Sequence, residues 1–147
     1  MFKHILIPID GSDVSRKAIR AGIELAGEIG AKVTAFHAEA PVPDHVYGEG
    51  YLADKRLVAE FESRARDYSE KCLLAVAAAG KAAGVPVETL VVKSPVAYRG
   101  IIDAAKRRKC DAIFMASHGR RGLSGLLIGS VTQQVLSHSK IPVLVFR

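Results

Sequence analysis

The residues with the clearest chemical potential are Ala116-Ser117-His118-Gly119 and, after nine intervening residues, Gly129-Ser130. They follow a hydrophobic run over residues 112–115 that ends at Met115, and they lead into a segment of helical character. A glycine-bearing loop that leaves a buried strand and enters a helix can hold a phosphate chain, because unpaired backbone N–H groups and the helix dipole converge there. Gly119 and Gly129 lack a Cβ, so the backbone can approach a pyrophosphate closely or take a positive φ. Ser130 has Gln133 three residues on, the spacing of a capping box, and its hydroxyl could also meet a phosphate oxygen. Arg120 and Arg121 either add positive charge near a triphosphate or are solvated, and Gly122 and Gly125 keep the loop adaptable.

Two other segments end strands on the same edge. Pro8-Ile9-Asp10-Gly11-Ser12 follows the first, and Asp10 could accept a ribose hydroxyl or help hold a metal beside phosphates. Asp-Gly-Ser is equally strong turn chemistry. His37-Ala38 ends the second, where the backbone of Ala38 could read an adenine edge. One loop histidine, His118, makes a poor general-base candidate, and the other histidines form no ligand set. Neither GxxxxGK[ST] nor GxGxxG occurs, which excludes a Walker-type NTPase.

The elements that must position these residues alternate. Strands are expected over residues 4–9, 32–38, 87–92, 112–115 and 141–146. A first helix is N-capped by Ser12 and stopped by Gly30. A loop with two prolines and two glycines spans residues 41–51. A long helix then runs from Ala53 to near Gly84 with Leu57, Phe61, Ala65, Tyr68, Cys72 and Val76 on its apolar face. Pro95 opens a third helix and Ser130 the last, over residues 130–137. The pattern predicts an α/β fold: one open five-stranded parallel sheet with helices on both faces, in a single domain over 1–147.

With 147 residues, 49% apolar and 24% charged, the chain reads as one soluble globular domain with a substantial core. No apolar run reaches the ~18–20 residues of a membrane span, and the N-terminus lacks signal-peptide features, so a cytoplasmic location is expected. Cys72 and Cys110 have no metal-ligand spacing and read as buried small hydrophobes. Much of the +6 charge sits in Lys106-Arg107-Arg108-Lys109 at a helix end, where cations complement the dipole; without interleaved aromatics it does not read as a nucleic-acid surface.

The whole chain resembles the universal stress protein family, and its nucleotide-binding branch in particular. That branch carries G-x2-G-x9-G-[ST] after the fourth strand, here Ala116-x2-Gly119-x9-Gly129-Ser130, and the N-terminal ILIPIDGSDVS also matches. The resemblance implies a single-domain, Rossmann-like protein that binds ATP or AMP, with Mg²⁺ or Mn²⁺ accompanying the nucleotide. It implies that Pro8, Ile9 and Asp10 border the nucleoside and that the Ala38 backbone meets the adenine. Gly119, Gly129 and Ser130 would hold the phosphates, with Met115, Ala116, Ser117, His118, Arg120 and Val131 around them. It further implies a homodimer paired through the C-terminal strand, Ile141 to Phe146, a protection that an exposed Val/Leu-rich edge needs. Ala116 departs from the first motif glycine: its methyl is harmless if the position needs only a small side chain and strained if it needs φ > 0. The role implied is a stress-response sensor or adaptor acting through a downstream protein partner. A slow ATPase, or an adaptor without nucleotide, are the alternatives.

Overall fold

A computed structural model describes residues 1–47, 54–119 and 128–147. Five parallel strands, β1 (His4–Pro8), β2 (Lys32–Glu39), β3 (Val87–Lys93), β4 (Ala112–Ala116) and β5 (Val143–Phe146), form one sheet in the order β3-β2-β1-β4-β5. The strand order reverses at β1, so the carboxyl ends of β1 and β4 flank the crevice where ligands enter open parallel sheets.

Side chains alternate across the strands and divide the core in two. Ile5, Ile7, Val33 and Phe114 face the helices α1 (Asp13–Ile29) and α3 (Lys55–Ala83). Leu6, Phe36, Ile113 and Met115 face α4 (Ala97–Arg107) and α5 (Ser130–His138). Burial on both faces explains the nearly unbroken apolar runs of β1 and β4. Ser12 caps α1 by accepting the Ser15 N–H at 3.1 Å, and Gly30 and Gly84 end α1 and α3 at φ 67° each, as helix-stopping glycines do. Cys72 and Cys110 are both buried and free.

Several boundaries differ from expectation. Residues Asp44–Tyr47 of the expected loop form a short helix, α2, while residues 48–51 of that loop and Ala53 lie outside the described residues. α3 starts at Lys55 because the Asp54 carboxylate accepts the Arg56 N–H. Pro95 does not open α4; Val96 precedes the helix, and the Ser94 hydroxyl bonds the Val96 carbonyl instead. β5 begins at Val143 rather than Ile141, since the Ile141 N–H is taken by Ser139 Oγ and Pro142 has no N–H to give a ladder. The basic run lies at the end of α4, with Arg108 as its cap and Lys109 at φ 55°.

At the opposite edge of the sheet, His4 is buried, with Nε2 2.8 Å from the buried Thr34 Oγ1. Burial, then the nearby Lys32 charge, hold its pKa below the ordinary 6.5; Glu88, Asp111 and the Arg108 backbone oppose them. The folded value lies below the unfolded one, so the unfolded chain binds more protons between the two. This contribution to stability is complete above about pH 6.5 and is lost as pH falls through that window. Urea midpoints at about pH 7.5 and about pH 5 should therefore drop less for His4→Gln, which cannot titrate there, than for the parent. Equal drops would remove His4 from the account.

Candidate functional site

The loop after β4 is held at both ends by the fold. The Ser117 N–H extends the sheet to the Phe146 carbonyl at 2.7 Å, and the Thr132 hydroxyl donates to the Ala116 carbonyl at 2.9 Å. Between them, the Gly129 N–H donates to the Ser117 carbonyl at 2.7 Å. A chain that leaves at Gly119 thus returns beside itself at Gly129: a Cβ built on Gly129 would stand 3.7 Å from the Gly119 nitrogen. The same Cβ would press to 3.3 Å on the His118 Cα and the Ser117 carbonyl oxygen. Gly129 takes φ −70°, so close approach, not a left-handed backbone, is what requires glycine there. Gly119 is likewise constrained by space, since a Cβ would come 2.5 Å from Asp10 Oδ2.

α5 starts with Gly129 as its cap and Ser130 as its first helical residue, and no side chain caps it. The capping-box reading of Ser130 is therefore corrected: the cap lies one residue earlier, at Gly129, and the Gln133 N–H bonds the Gly129 carbonyl as in an ordinary first turn. The N–H groups of Ser130, Val131 and Thr132 precede the first intrahelical bond, which leaves them for an acceptor in front of the helix. Ala116 lies within β4, and among the described non-glycine residues only Lys109 has a positive φ, so its methyl strains nothing. Arg120, Arg121, Gly122 and Gly125 lie outside the described residues.

Facing this loop, the tip of β1 is tied down. The Ile9 N–H donates to the Phe36 carbonyl and buried His37 returns a bond from Nδ1 to the Ile9 carbonyl, each 2.8 Å. The Asp10 carboxylate accepts the Ser12 N–H at 2.9 Å, with Gly11 at φ 80°, so the expected turn chemistry is present beside the loop glycines. The Tyr68 hydroxyl donates to the Asp10 carbonyl at 2.7 Å. Ser117 Oγ and His118 Nδ1 are 3.0 Å apart.

Backbone parity at the end of β2 creates a second polar edge. Phe36 turns its carbonyl toward β1, so the N–H and C=O of Ala38, two residues on, point the same way. The register of β1 with β2 stops at Pro8 against Phe36, so Ala38 presents both groups beyond the end of its neighbour. Glu39, of opposite parity, gives its carbonyl to Ser94 on the other side.

These pieces surround one cleft of about 700 Å³. Of the expected residues it brings together Pro8, Ile9, Asp10, Ala38, Met115, Ala116, His118, Gly119, Gly129, Ser130 and Val131. Ser117 does not line it: the side chain is buried, and the residue serves the bridge behind the loop. Among the described residues no three His, Cys, Asp or Glu side chains group as a metal site.

The cleft has a wall on α3, three of whose residues, Phe61, Ala65 and Tyr68, sequence reasoning assigned to the helix's apolar face. Phe61, Arg64, Ala65 and Tyr68, at i, i+3, i+4 and i+7 of α3, line it, and the core face of α3 begins only at Ser69 and Cys72. Length carried the missed signal. A helix of 29 residues spans ~43 Å at ~1.5 Å per residue, whereas strands of this sheet span at most ~27 Å. A helix that descends from the end of β2 to the start of β3 must overhang the binding edge. His37, Glu39, Ser15 and Thr132 also line the cleft and had no distinctive spacing to betray them.

A model of the universal stress protein family matches residues 1–147. A universal stress protein of Thermus aquaticus is 32% identical over 147 residues, covering all of both chains. One of Methanocaldococcus jannaschii is 31% identical over 147 residues, which cover all of this chain and 83% of the relative. Among solved structures, a hypothetical protein whose biochemical function was assigned from its structure superposes with TM-score 0.82 at 23% identity, covering 99% of this chain and 95% of the other. The universal stress protein from Archaeoglobus fulgidus in complex with dAMP gives TM-score 0.68 at 19% identity, covering 100% and 98%. A universal stress protein in complex with cAMP gives TM-score 0.64 at 24% identity, covering 99% and 97%. At such identities the superpositions speak for the Rossmann-like fold, while the family match over every residue speaks for kinship: the chain belongs to the universal stress protein family.

Proposed function

We propose that this chain binds an adenine nucleotide, ATP or AMP, in the cleft between β1, β2, β4 and α5, and acts as a dimeric stress-response sensor or adaptor rather than a fast enzyme. One observation carries the reading: a backbone donor–acceptor pair at Ala38 and the N-terminus of α5, neither of them partnered among the described residues, face the same cleft. The first suits a base edge and the second an anion, so one ligand with both ends satisfies the site. Structural neighbours in complex with dAMP and cAMP support the same ligand class.

In this reading Asp10 borders the ribose, Met115 and Val131 pack on the nucleoside, and Gly119, Gly129 and Ser130 receive phosphates, with Ser117 supporting the loop from behind. Arg120 adds charge to the phosphate end. Mg²⁺ or Mn²⁺ would be held chiefly by the triphosphate, since Asp10 offers a single carboxylate already engaged with the Ser12 N–H. That engagement also favours binding over turnover. β5 ends the sheet order, with no strand on its outer side among the described residues and with Val145 exposed, which supports pairing of two copies through this strand. No helix among the described residues is long and apolar enough to cross a membrane, and a cytoplasmic setting agrees with an intracellular nucleotide as ligand.

Gly119→Val should weaken ATP binding in calorimetric titration by at least about tenfold, because its side chain must displace the Asp10 carboxylate and fill the phosphate approach. The melting temperature should change little, since Gly119 belongs to neither core cluster. Parent-like ATP affinity in that variant would refute the placement of the phosphates. Ala116→Gly should behave oppositely. It removes a methyl packed against the α1–α3 core from a strand position, costing about 0.5–1 kcal/mol of stability, and should alter ATP affinity less than about threefold. A tenfold gain in affinity would mean that the methyl obstructs the ligand.

A further inference from the structure

Glu39 is an anomaly in this cleft. It ends β2 directly after Ala38, lines the cavity and is only 8% exposed, yet it forms no ion pair among the described residues. Its Oε2 accepts the buried Ser69 hydroxyl at 3.0 Å. Oε1 has no donor among the described residues, and no buried side-chain oxygen is left unsatisfied, so Oε1 is open, and the space it opens to is the cleft. A ligand that fills the cleft and shuts solvent off from this oxygen must supply a donor to it, or the desolvated carboxylate is left unsatisfied.

From this placement we propose that Glu39 is a specificity-determining residue that accepts a hydrogen bond from the exocyclic amine of the bound base. The inference rests on the nucleotide reading above and deepens it. A carboxylate only accepts, so it cannot bind a phosphate or a base carbonyl; it calls for N–H. The neighbouring Ala38 backbone offers one donor and one acceptor to a base edge, and an adenine amine carries two N–H bonds. One goes to the Ala38 carbonyl and the second to Glu39 Oε1. A base with a carbonyl in that position would set its oxygen against both acceptors. Ser69 holds the carboxylate from behind through Oγ, and that Oγ also lies 2.9 Å from the Ala65 carbonyl oxygen, so the group is positioned from α3.

The test is a titration of the parent and Glu39→Gln with ATP and with ITP, whose base carries a carbonyl in place of the amine. The parent should prefer ATP by at least about tenfold, and Glu39→Gln should narrow that preference by about threefold or more, because the amide can turn an N–H toward the carbonyl. An unchanged preference in the variant would overturn the role of Glu39 while leaving nucleotide binding intact. Failure of the parent to bind either nucleotide would instead overturn the nucleotide reading, and this inference with it. Should Glu39→Gln fail to fold, Glu39→Ala decides in its place: a preference for ATP over ITP narrowed by about threefold or more supports the proposal, and a parent-like preference overturns it.

Discussion

The bond from the Gly129 N–H to the Ser117 carbonyl is the constraint on which the site depends. It joins two residues separated by a loop and fixes where α5 begins relative to the end of β4. Together with the Thr132 hydroxyl bond to the Ala116 carbonyl, it sets the N–H groups of α5 over the sheet edge. The requirement for glycine follows from this closure: any side chain at 129 would press on the Ser117–His118 backbone. The same logic places Gly119 against the Asp10 side chain, so β1, β4 and α5 are brought together by contacts that a Cβ would crowd.

The cleft that results is polarised along its length. One end collects partial positive charge from the start of α5, which suits an anion. The other ends in the carboxylate of Glu39 and the free backbone edge of Ala38, which suit hydrogen-bonding groups of a base. Apolar surface from Met115, Phe36, Ile101 and Val131 lies between and can receive a ring. A ligand with a base, a neutral middle and an anionic tail fits this order in only one direction. α3 closes the side with Phe61, Ala65 and Tyr68, and the Tyr68 hydroxyl ties that wall to the tip of β1.

Much of this is legible in the amino-acid sequence. The apolar runs of β1 and β4, buried on both faces, require a parallel sheet, and the glycine spacing after β4 points to the segment that lines the cleft. Ser12 and Gly30 mark the ends of α1 through local chemistry that needs no tertiary context. What is not legible depends on lengths and parities. The capping register of Ser130 fails because the Ser117 carbonyl claims the Gly129 N–H and moves the cap back one residue. The stripe Phe61, Ala65 and Tyr68 has core periodicity, and only the overhang of α3 beyond the strands turns it, with Arg64, into a cleft wall. Glu39 is a single charged residue at a strand end, and nothing local distinguishes it from a solvated one. Its burial comes from α3 packing over it. Ala116 is ambiguous for the same reason, since only the backbone conformation of β4 decides whether a methyl is strained.

The central claim is that one ligand spans the Ala38 edge and the N-terminus of α5. A crystal structure of the protein with bound ATP or AMP tests it most directly. The account predicts the base in hydrogen-bond contact with the Ala38 N–H and C=O, and phosphate oxygens against the N–H groups of Gly119, Ser130 and Val131. A nucleotide seated elsewhere, or with its phosphates toward Glu39, would contradict it.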